Sequence, residues 1–257
     1  MTAGQKSYAI AGVTVVAYFL AGFLGLVLLS QTYQIALVWP ATAILMTYLY
    51  LNEVSKWPLM LALCWAASVL ADYVAVGDAP TIVNVLLSTA DVFLDALIGA
   101  ALLRRFTTPE RLFTTIRGTS LFLALACVIP PAFGGVLSAG TVAVAFGAPF
   151  LEQWFIWWAS TAVSVSLIMP LLVVFITSQT PLRPIRTRPS EFAGLMVLTL
   201  AVGALNNYSS LAELHFLYVP MMLLAALRFG VMGVGVTATL ITAIEIFNLL
   251  VEAGLIG

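Results

Sequence analysis

Charged side chains are scarce in this sequence. They make up 8% of its 257 residues, whereas hydrophobic residues make up 62%. A typical soluble domain contains roughly 25% charged residues. So few charges cannot cover the surface of a water-soluble globule, and the composition therefore predicts a membrane protein. No basic tract is long enough to indicate binding to nucleic acid.

Cysteine and histidine, the usual ligands of zinc and haem, are almost missing as well. Of the two cysteines, Cys64 and Cys127, each lies inside an apolar run, so we expect both to be buried hydrophobic side chains. There is no Cys/His cluster that would predict a metal site or a haem. Ser138 lies among glycines, but its only possible base is His215 at the edge of a span. We therefore predict no metal, no cofactor and no enzymatic activity.

Long apolar runs fill the chain instead. They predict an all-α polytopic bundle of about 8–10 membrane-spanning helices, because roughly 20 apolar residues cross a bilayer as a helix. The bundle forms one integral-membrane domain, 1–257, with no soluble domain. The first run is too long for the apolar part of a signal peptide, so we expect it to remain as a span. The predicted spans are 8–29, 35–51, 57–76, 81–103, 118–138, 150–176, 191–206, 213–228 and 230–250.

The sixth run, Phe150 to Ile176, is the element around which we expect the bundle to be organised. Small hydroxyl residues between Ser160 and Ser166 predict close packing against other helices. Pro170 lacks a backbone donor and predicts a kink near the far end. Aromatic residues at the start are typical of a membrane interface, with stacking against a ligand as the alternative; they are Trp154, Trp157 and Trp158.

Cations predict the topology. All ten fall on alternate loops, and by the positive-inside rule those loops and the N-terminus are cytoplasmic, which suits a bacterial inner-membrane protein. With nine spans, the C-terminal residues 255–257 would lie outside. The cations are Lys6, Lys56, Arg104, Arg105, Arg111, Arg117, Arg183, Arg186, Arg188 and Arg228, and the opposite loops carry Asp78, Glu152, Glu213 and His215.

Acidic residues within the spans are the main candidates for function. Asp91 and Asp95 are four residues apart on one face of the fourth span, and Glu245 lies inside the ninth, with no Lys or Arg deep enough to pair with them. A lone ionised carboxylate at depth costs about 3 kcal/mol. Each acid is therefore either a proton, cation or ligand site, or a polar contact between helices. Asp72 and Asn84 are closer to the outer interface, where we expect solvated or helix-end positions.

Two further features allow two interpretations each. Pro130-Pro131 and Gly134-Gly135 interrupt the fifth span, as either a plain kink or a broken helix of a transporter site. Arg104 and Arg105 end the fourth span, where a cation suits both the helix dipole and anionic lipid.

An ordered set of short motifs resembles the bacterial membrane-associated sensor domain, type one (MASE), over about residues 33–247. The motifs are Val38-Trp39-Pro40; the stretch from Ala96 to Arg105; Trp157-Trp158 with Pro170-Leu171-Leu172; and Phe216 to Pro220 followed by Ala225 to Gly230. The resemblance implies an integral-membrane input domain, usually fused to a cytoplasmic histidine kinase or diguanylate cyclase.

The sequence also departs from the family pattern. Ala41 and Ala43 replace a proline and a glycine after Trp-Pro, and Ser160, Thr161 and Ser164 replace Gly-Asp and a later glycine. Asp95 matches an acidic position of the fourth span. The family continues into a further span and an output module, so we expect either a truncated chain or a stand-alone, divergent relative.

We therefore expect a sensory module whose ligand binds among spans two, four and six, in contact with lipids and read by a protein partner such as a kinase or cyclase. The predicted ligand-binding residues are Trp39, Asp91, Asp95, Trp157, Trp158 and Thr161. Two alternatives remain: a structural subunit of a larger membrane complex, and a small transporter that uses the buried acids.

Overall fold

The computed structural model describes residues 3–27, 38–76, 82–208 and 214–252, and all regular elements in these ranges are helical. The predicted all-α fold is thereby confirmed. The chain forms two compact units, Met1–Met169 and Pro170–Gly257. The α-helices are α1 Ala3–Val27, α2 Pro40–Leu51, α3 Trp57–Val76, α4 Ile82–Phe106, α5 Pro109–Leu112, α6 Ile116–Phe122, α7 Ile129–Phe146, α8 Phe150–Thr177, α9 Arg183–Arg186, α10 Pro189–Tyr208 and α11 Tyr218–Glu252.

Six helical segments in the described part of the chain are long and apolar enough to cross a membrane. The other predicted spans also coincide with helices of the structure. Spans 35–51 and 81–103 correspond largely to the short apolar helix α2 and to α4, whose first side chains lie outside the described part, and spans 213–228 and 230–250 both fall within one 34-residue segment. The six segments are Tyr8–Val27, Val54–Ala75, Ile116–Val144, Phe150–Thr177, Pro189–Asn206 and His215–Asn248.

Several residues that the sequence analysis assigned to span ends or to loops lie outside the described part of the structure. They are residues 28–29, 35–37, 77–81 and 253–257, which include Asp78, and also Glu213. The backbone of residues 6 and 84 is helical, but the side chains of Lys6 and Asn84 also lie outside the described part of the structure.

Apolar side chains form the outer surface of the helices. On α1, Val13, Val16 and Leu20 are 70%, 59% and 55% exposed. Such faces suit acyl chains, and helices satisfy their own backbone polar groups where lipid offers no hydrogen bonds. The exposed apolar faces are therefore the surfaces that we expect to contact lipid.

The fifth span is continuous rather than broken. Helix α6 passes into a π-helical turn, Leu123–Val128, and then into α7, whose first turn contains Pro130. Proline offers no N–H to the preceding turn, and a π turn accommodates the missing bond without ending the helix. The helix continues past the predicted end at 138 to Phe146, and Gly147 ends it with a φ of 67°.

Arg104 joins the C-terminal ends of α2 and α4. Its Nη1 atom donates to the carbonyl oxygens of Tyr50 at 3.0 Å and Asn52 at 2.7 Å. Its guanidinium lies 6.0 Å from the centre of the Trp57 ring. The sequence suggested that Arg104 serves the dipole of its own helix or anionic lipid. In the structure it still lies in the last turn of α4, and it also satisfies carbonyl groups at the C-terminal end of α2.

In the second unit, α10 packs against a helical hairpin formed by α11. Gly230 has φ 62° and ψ −153°, so the backbone reverses there, at the boundary predicted between the last two spans. Tyr218 on the first arm donates to Glu245 on the second at 2.7 Å. The core between α10 and α11 contains Leu195, Val202, Tyr218, Met221, Ala225 and Phe229.

Glu245 is not the lone acid that the sequence suggested. Besides the Tyr218 hydroxyl, His215 Nε2 lies 3.3 Å from Glu245 Oε2. The sequence offers no Lys or Arg deep enough to pair with Glu245, but the chain reversal at Gly230 brings the single histidine alongside. Glu245 therefore belongs to a polar cluster at the open end of the hairpin.

Candidate functional site

Asp91 and Asp95 are buried together in the first unit. They are 2% and 1% exposed and lie one helical turn apart on α4. The indole Nε1 of Trp157 on α8 donates to Asp91 Oδ2 at 2.6 Å. This distance is at the short end for a hydrogen bond to a carboxylate, and such bonds are stronger than neutral ones. The structure therefore brings together three of the residues that the sequence predicted to bind a ligand.

Helix α7 supplies the second wall of this acidic cluster. A Cβ atom on Gly134 would lie only 2.7 Å from Asp95 Cγ, so the carboxyl group packs directly on the α7 backbone. Only a residue without a side chain allows that approach. Ser138, one turn further along the same face, lies beside Asp91 and is 3% exposed. We define the acid–indole cluster as Asp91, Asp95, Gly134, Ser138 and Trp157.

Three buried oxygen atoms of the acid–indole cluster lack a well-aligned hydrogen-bond partner in the described part of the structure, although Ser138 lies close beside Asp91 and the Gly134 backbone close beside Asp95. They are Asp91 Oδ1, Asp95 Oδ1 and Ser138 Oγ. An unsatisfied buried polar atom costs about 1–3 kcal/mol, and more when it is charged. Native proteins satisfy such atoms with water or an ion or place them where they serve a function. Three of them side by side can accept a proton, a small cation, water or a polar ligand group.

One face of α8 connects α4 with α2. Trp157 contacts α4, and two turns later Ser164 Oγ accepts a hydrogen bond from the backbone N–H of Trp39 at 2.7 Å. The Ser164 hydroxyl donates in turn to Ser160 O at 2.7 Å. Thr161 lies between these contacts on the same face and is 3% exposed. The three helices predicted to surround a ligand thus contact one another.

The Trp39 side chain borders a separate cavity. This cavity measures about 50 Å³ and lies among α1, α2, α3 and α4, where Tyr18, Ser68, Asp72 and Thr89 supply its polar lining. Trp39 Nε1 is buried without a partner. A water molecule needs about 10–15 Å³ of such volume, so a few waters fit. The Trp39 side chain thus lines this cavity, while the Trp39 backbone is linked to α8 through the Ser164 bond.

The remaining tryptophans on α8 point to α7 and its π turn. Trp154 Nε1 donates to Ala132 O at 2.9 Å, and Trp158 Nε1 donates to Val128 O at 3.0 Å. Their rings stack with centres 6.3 Å apart. Trp158, which the sequence placed among the ligand-binding residues, is thus engaged with the backbone at the end of the π turn rather than with Asp91 or Asp95.

Sequence reasoning missed Ser138 and Gly134 as members of the site. A signal was available, because Gly134 and Ser138 are four residues apart and so share one face of α7, as Asp91 and Asp95 share one face of α4. The glycine pair was interpreted as a weak point of the helix. In the structure Gly134 receives Asp95, and Gly135 receives the Trp154 ring, at 3.4 Å from its Cβ position to Trp154 Cδ1.

Comparison with known proteins agrees with the resemblance seen in the sequence. The MASE1 family matches residues 10–255, nearly the whole chain and more than the predicted 33–247. No curated protein and no solved structure matches the chain. MASE1 domains are sensory input domains of the membrane, not a catalytic family. The chain belongs to the MASE1 family and is a multi-pass, integral-membrane sensory module.

Proposed function

We propose that this chain is an input module of bacterial signal transduction in the inner membrane and that the acid–indole cluster receives its stimulus. The observation that carries the proposal is the Trp157–Asp91 hydrogen bond of 2.6 Å beside buried carboxylate oxygens that lack partners. A polar stimulus arriving there competes with an existing bond between α4 and α8. It can therefore change how the two helices pack.

The chemistry of the cluster favours a proton or a small cation as the stimulus. The atoms that lack a well-aligned partner are all oxygens, from Asp91, Asp95 and Ser138. Carboxylate and hydroxyl oxygens are ligands for hard cations, and they also accept protons. Two buried carboxylates one turn apart repel each other when both are ionised, and a positive charge between them relieves that repulsion. Binding of a proton or cation between the two carboxylates would then break or strengthen the Trp157–Asp91 hydrogen bond.

The response would be passed on through helix packing to a cytoplasmic histidine kinase or diguanylate cyclase. We place the N-terminus and the arginine-bearing connections in the cytoplasm, on the basis of the alternate cation pattern. Helix α4 is the natural carrier, because it contains the two acids and ends in Arg104 and Arg105 on that side.

Hydrogen–deuterium exchange on the full chain in phosphatidylcholine nanodiscs tests the proposal. We compare sodium, potassium and choline chloride at equal ionic strength, and pH values on either side of neutrality. We expect exchange in α4 and α8 to change with the cation or with pH. The Asp91→Asn/Asp95→Asn variant should lose this response. Asp72→Asn is the matched control, since this acid lines the other cavity, and should keep it.

A response that survives in Asp91→Asn/Asp95→Asn, or one that disappears in Asp72→Asn, would contradict the proposed site. A transporter remains the second candidate, because the same buried carboxylates lie beside α7 just beyond a π turn, and π turns often occur at functional sites. Cation flux in proteoliposomes separates the two: flux that depends on Asp91 and Asp95 indicates a transporter.

A further inference from the structure

A second candidate site lies at the end of α4 opposite the outer loops, in the connection to α6. Here a cavity of about 330 Å³ is lined by residues from Arg104 to Leu121. Four of them are arginines, namely Arg104, Arg105, Arg111 and Arg117, and threonine hydroxyls from Thr107, Thr108 and Thr115 line the same cavity. We name this surface the arginine cavity. It does not overlap the acid–indole cluster.

Three of the four arginines form no ion pair with an acidic side chain in the described part of the chain. Arg104 is partly engaged by the carbonyls of Tyr50 and Asn52. In the described ranges, the ion pairs found are His215–Glu245 and Arg228–Glu191, and neither involves Arg105, Arg111 or Arg117. Guanidinium groups concentrated around one cavity repel each other, and a bound anion would relieve that repulsion.

The nearest acid does not neutralise the cavity. Hydrogen bonds from its own backbone N–H and from the Thr108 hydroxyl hold the pKa of Glu110 below its usual range, and the charge of Arg111 contributes less. Glu110 is therefore ionised at neutral pH but is directed towards the start of α5. Its side chain is fully exposed, so water screens its effect on the arginines.

The backbone around the cavity is well ordered by local contacts. Thr115 Oγ1 accepts from Gly118 N at 3.0 Å and donates to Arg111 O at 3.2 Å. A Cβ on Gly118 would lie 2.7 Å from Leu112 O, so α6 packs on α5 without a side chain between them. Leu112 is fully buried, which anchors the connection. The arginines thus project from a preformed support, and little ordering is needed for an anion to bind.

We propose that the arginine cavity is a binding site for a phosphate-bearing anion. Guanidinium forks match phosphate oxygens in pairs, and threonine hydroxyls can donate to the remaining oxygens. The volume accommodates a diphosphate group together with its water. Two sources share this chemistry: a soluble phosphate compound from the cytoplasm and the headgroup of an anionic phospholipid. The site lies at the membrane end of α4, where either can reach it.

Two binding measurements test the proposal and identify the source. Calorimetric titration of inorganic pyrophosphate into the full chain in phosphatidylcholine nanodiscs reports on soluble phosphate. Native mass spectrometry of detergent-solubilised protein with phosphatidylglycerol or phosphatidylcholine reports on lipid. We expect binding in at least one measurement, and it should weaken about tenfold or more in Arg111→Gln/Arg117→Gln, since two charge-assisted contacts are lost.

Arg183→Gln/Arg186→Gln is the matched control, because it removes two cations of α9, which does not line the cavity. It should bind as the unchanged chain does. Arg105→Gln, a single change at an exposed helix end, should weaken binding as well and serves if the double variant fails to fold. No binding in either measurement, or equal losses in the variants and the control, would overturn the proposal.

Discussion

Replacing Trp157 by phenylalanine removes one hydrogen-bond donor and keeps a six-membered aromatic ring in place of the larger indole. The change leaves Asp91 Oδ2 without its 2.6 Å partner, while Oδ1 already lacks one. A buried charged acceptor that loses its donor costs about 1–3 kcal/mol in soluble proteins. Hydrogen bonds between membrane helices average about 0.6 kcal/mol and reach about 1.7. We expect about 1–2 kcal/mol here, because this bond is short and its acceptor is a carboxylate.

A double-mutant cycle with Asp91→Leu isolates the bond. Replacing both partners by apolar side chains removes the unsatisfied oxygen atoms together with the donor. Trp157→Phe should therefore cost about 1 kcal/mol less in the Asp91→Leu background than in the original chain. Unfolding by sodium dodecyl sulfate in mixed micelles, followed by far-ultraviolet circular dichroism, gives the four free energies without relying on tryptophan fluorescence.

Trp158→Phe provides the control for this cycle. Its indole also donates one hydrogen bond, at 3.0 Å, but to the carbonyl oxygen of Val128. We expect Trp158→Phe and Asp91→Leu to be additive within about 0.3–0.5 kcal/mol. Equal coupling of Asp91 to both tryptophans, or no coupling to either, would refute the assignment of this bond as the link between α4 and α8.

Replacing glycines by alanine, followed by thermal unfolding, tests the packing of α7 against Asp95 and the backbone reversal at Gly230. Gly134→Ala should destabilise the protein by about 1–3 kcal/mol, since the new Cβ meets the Asp95 carboxyl group. Gly140→Ala, with nothing within 4 Å, should be neutral or stabilising by about 0.5–1 kcal/mol; equal effects at the two positions would contradict the packing. Gly230→Ala should cost about 1–3 kcal/mol, because φ 62° with ψ −153° suits only glycine. An alanine there that leaves the melting temperature unchanged would argue against the hairpin reversal.

Much of the fold could be predicted because lipid restricts the possibilities. Long apolar runs must be helices in a bilayer, and proline and glycine mark several of their ends. Thus α8 was predicted at 150–176 and observed at Phe150–Thr177, and the turn at Gly230 fell between the two predicted last spans. The span count was less predictable, since α2 is shorter than a full span and the last two predicted spans form one helical segment that reverses at Gly230.

The site was predicted in part. Buried acids are costly, so Asp91 and Asp95 stood out in the sequence, and Trp157 is now seen to contact one of them. Which tryptophan faced the acids could not be known, because Trp157 and Trp158 are adjacent and their directions differ by about 100° around a helix. The contributions of Gly134 and Ser138 were hidden for another reason: they depend on which helix packs against α4.

Helix α4 is held by hydrogen bonds to neighbouring helices at two points along its length. Asp91 accepts a hydrogen bond from the Trp157 indole of α8. Thirteen residues later, about 20 Å along the axis, Arg104 donates to carbonyl groups at the end of α2. Because the hydrogen bonds of a helix resist local twisting, a rotation of α4 at the acids would be transmitted to Arg104. If occupancy of the acid–indole cluster breaks the Trp157 bond, as we propose, we therefore expect the Arg104 contacts with α2 to change as well.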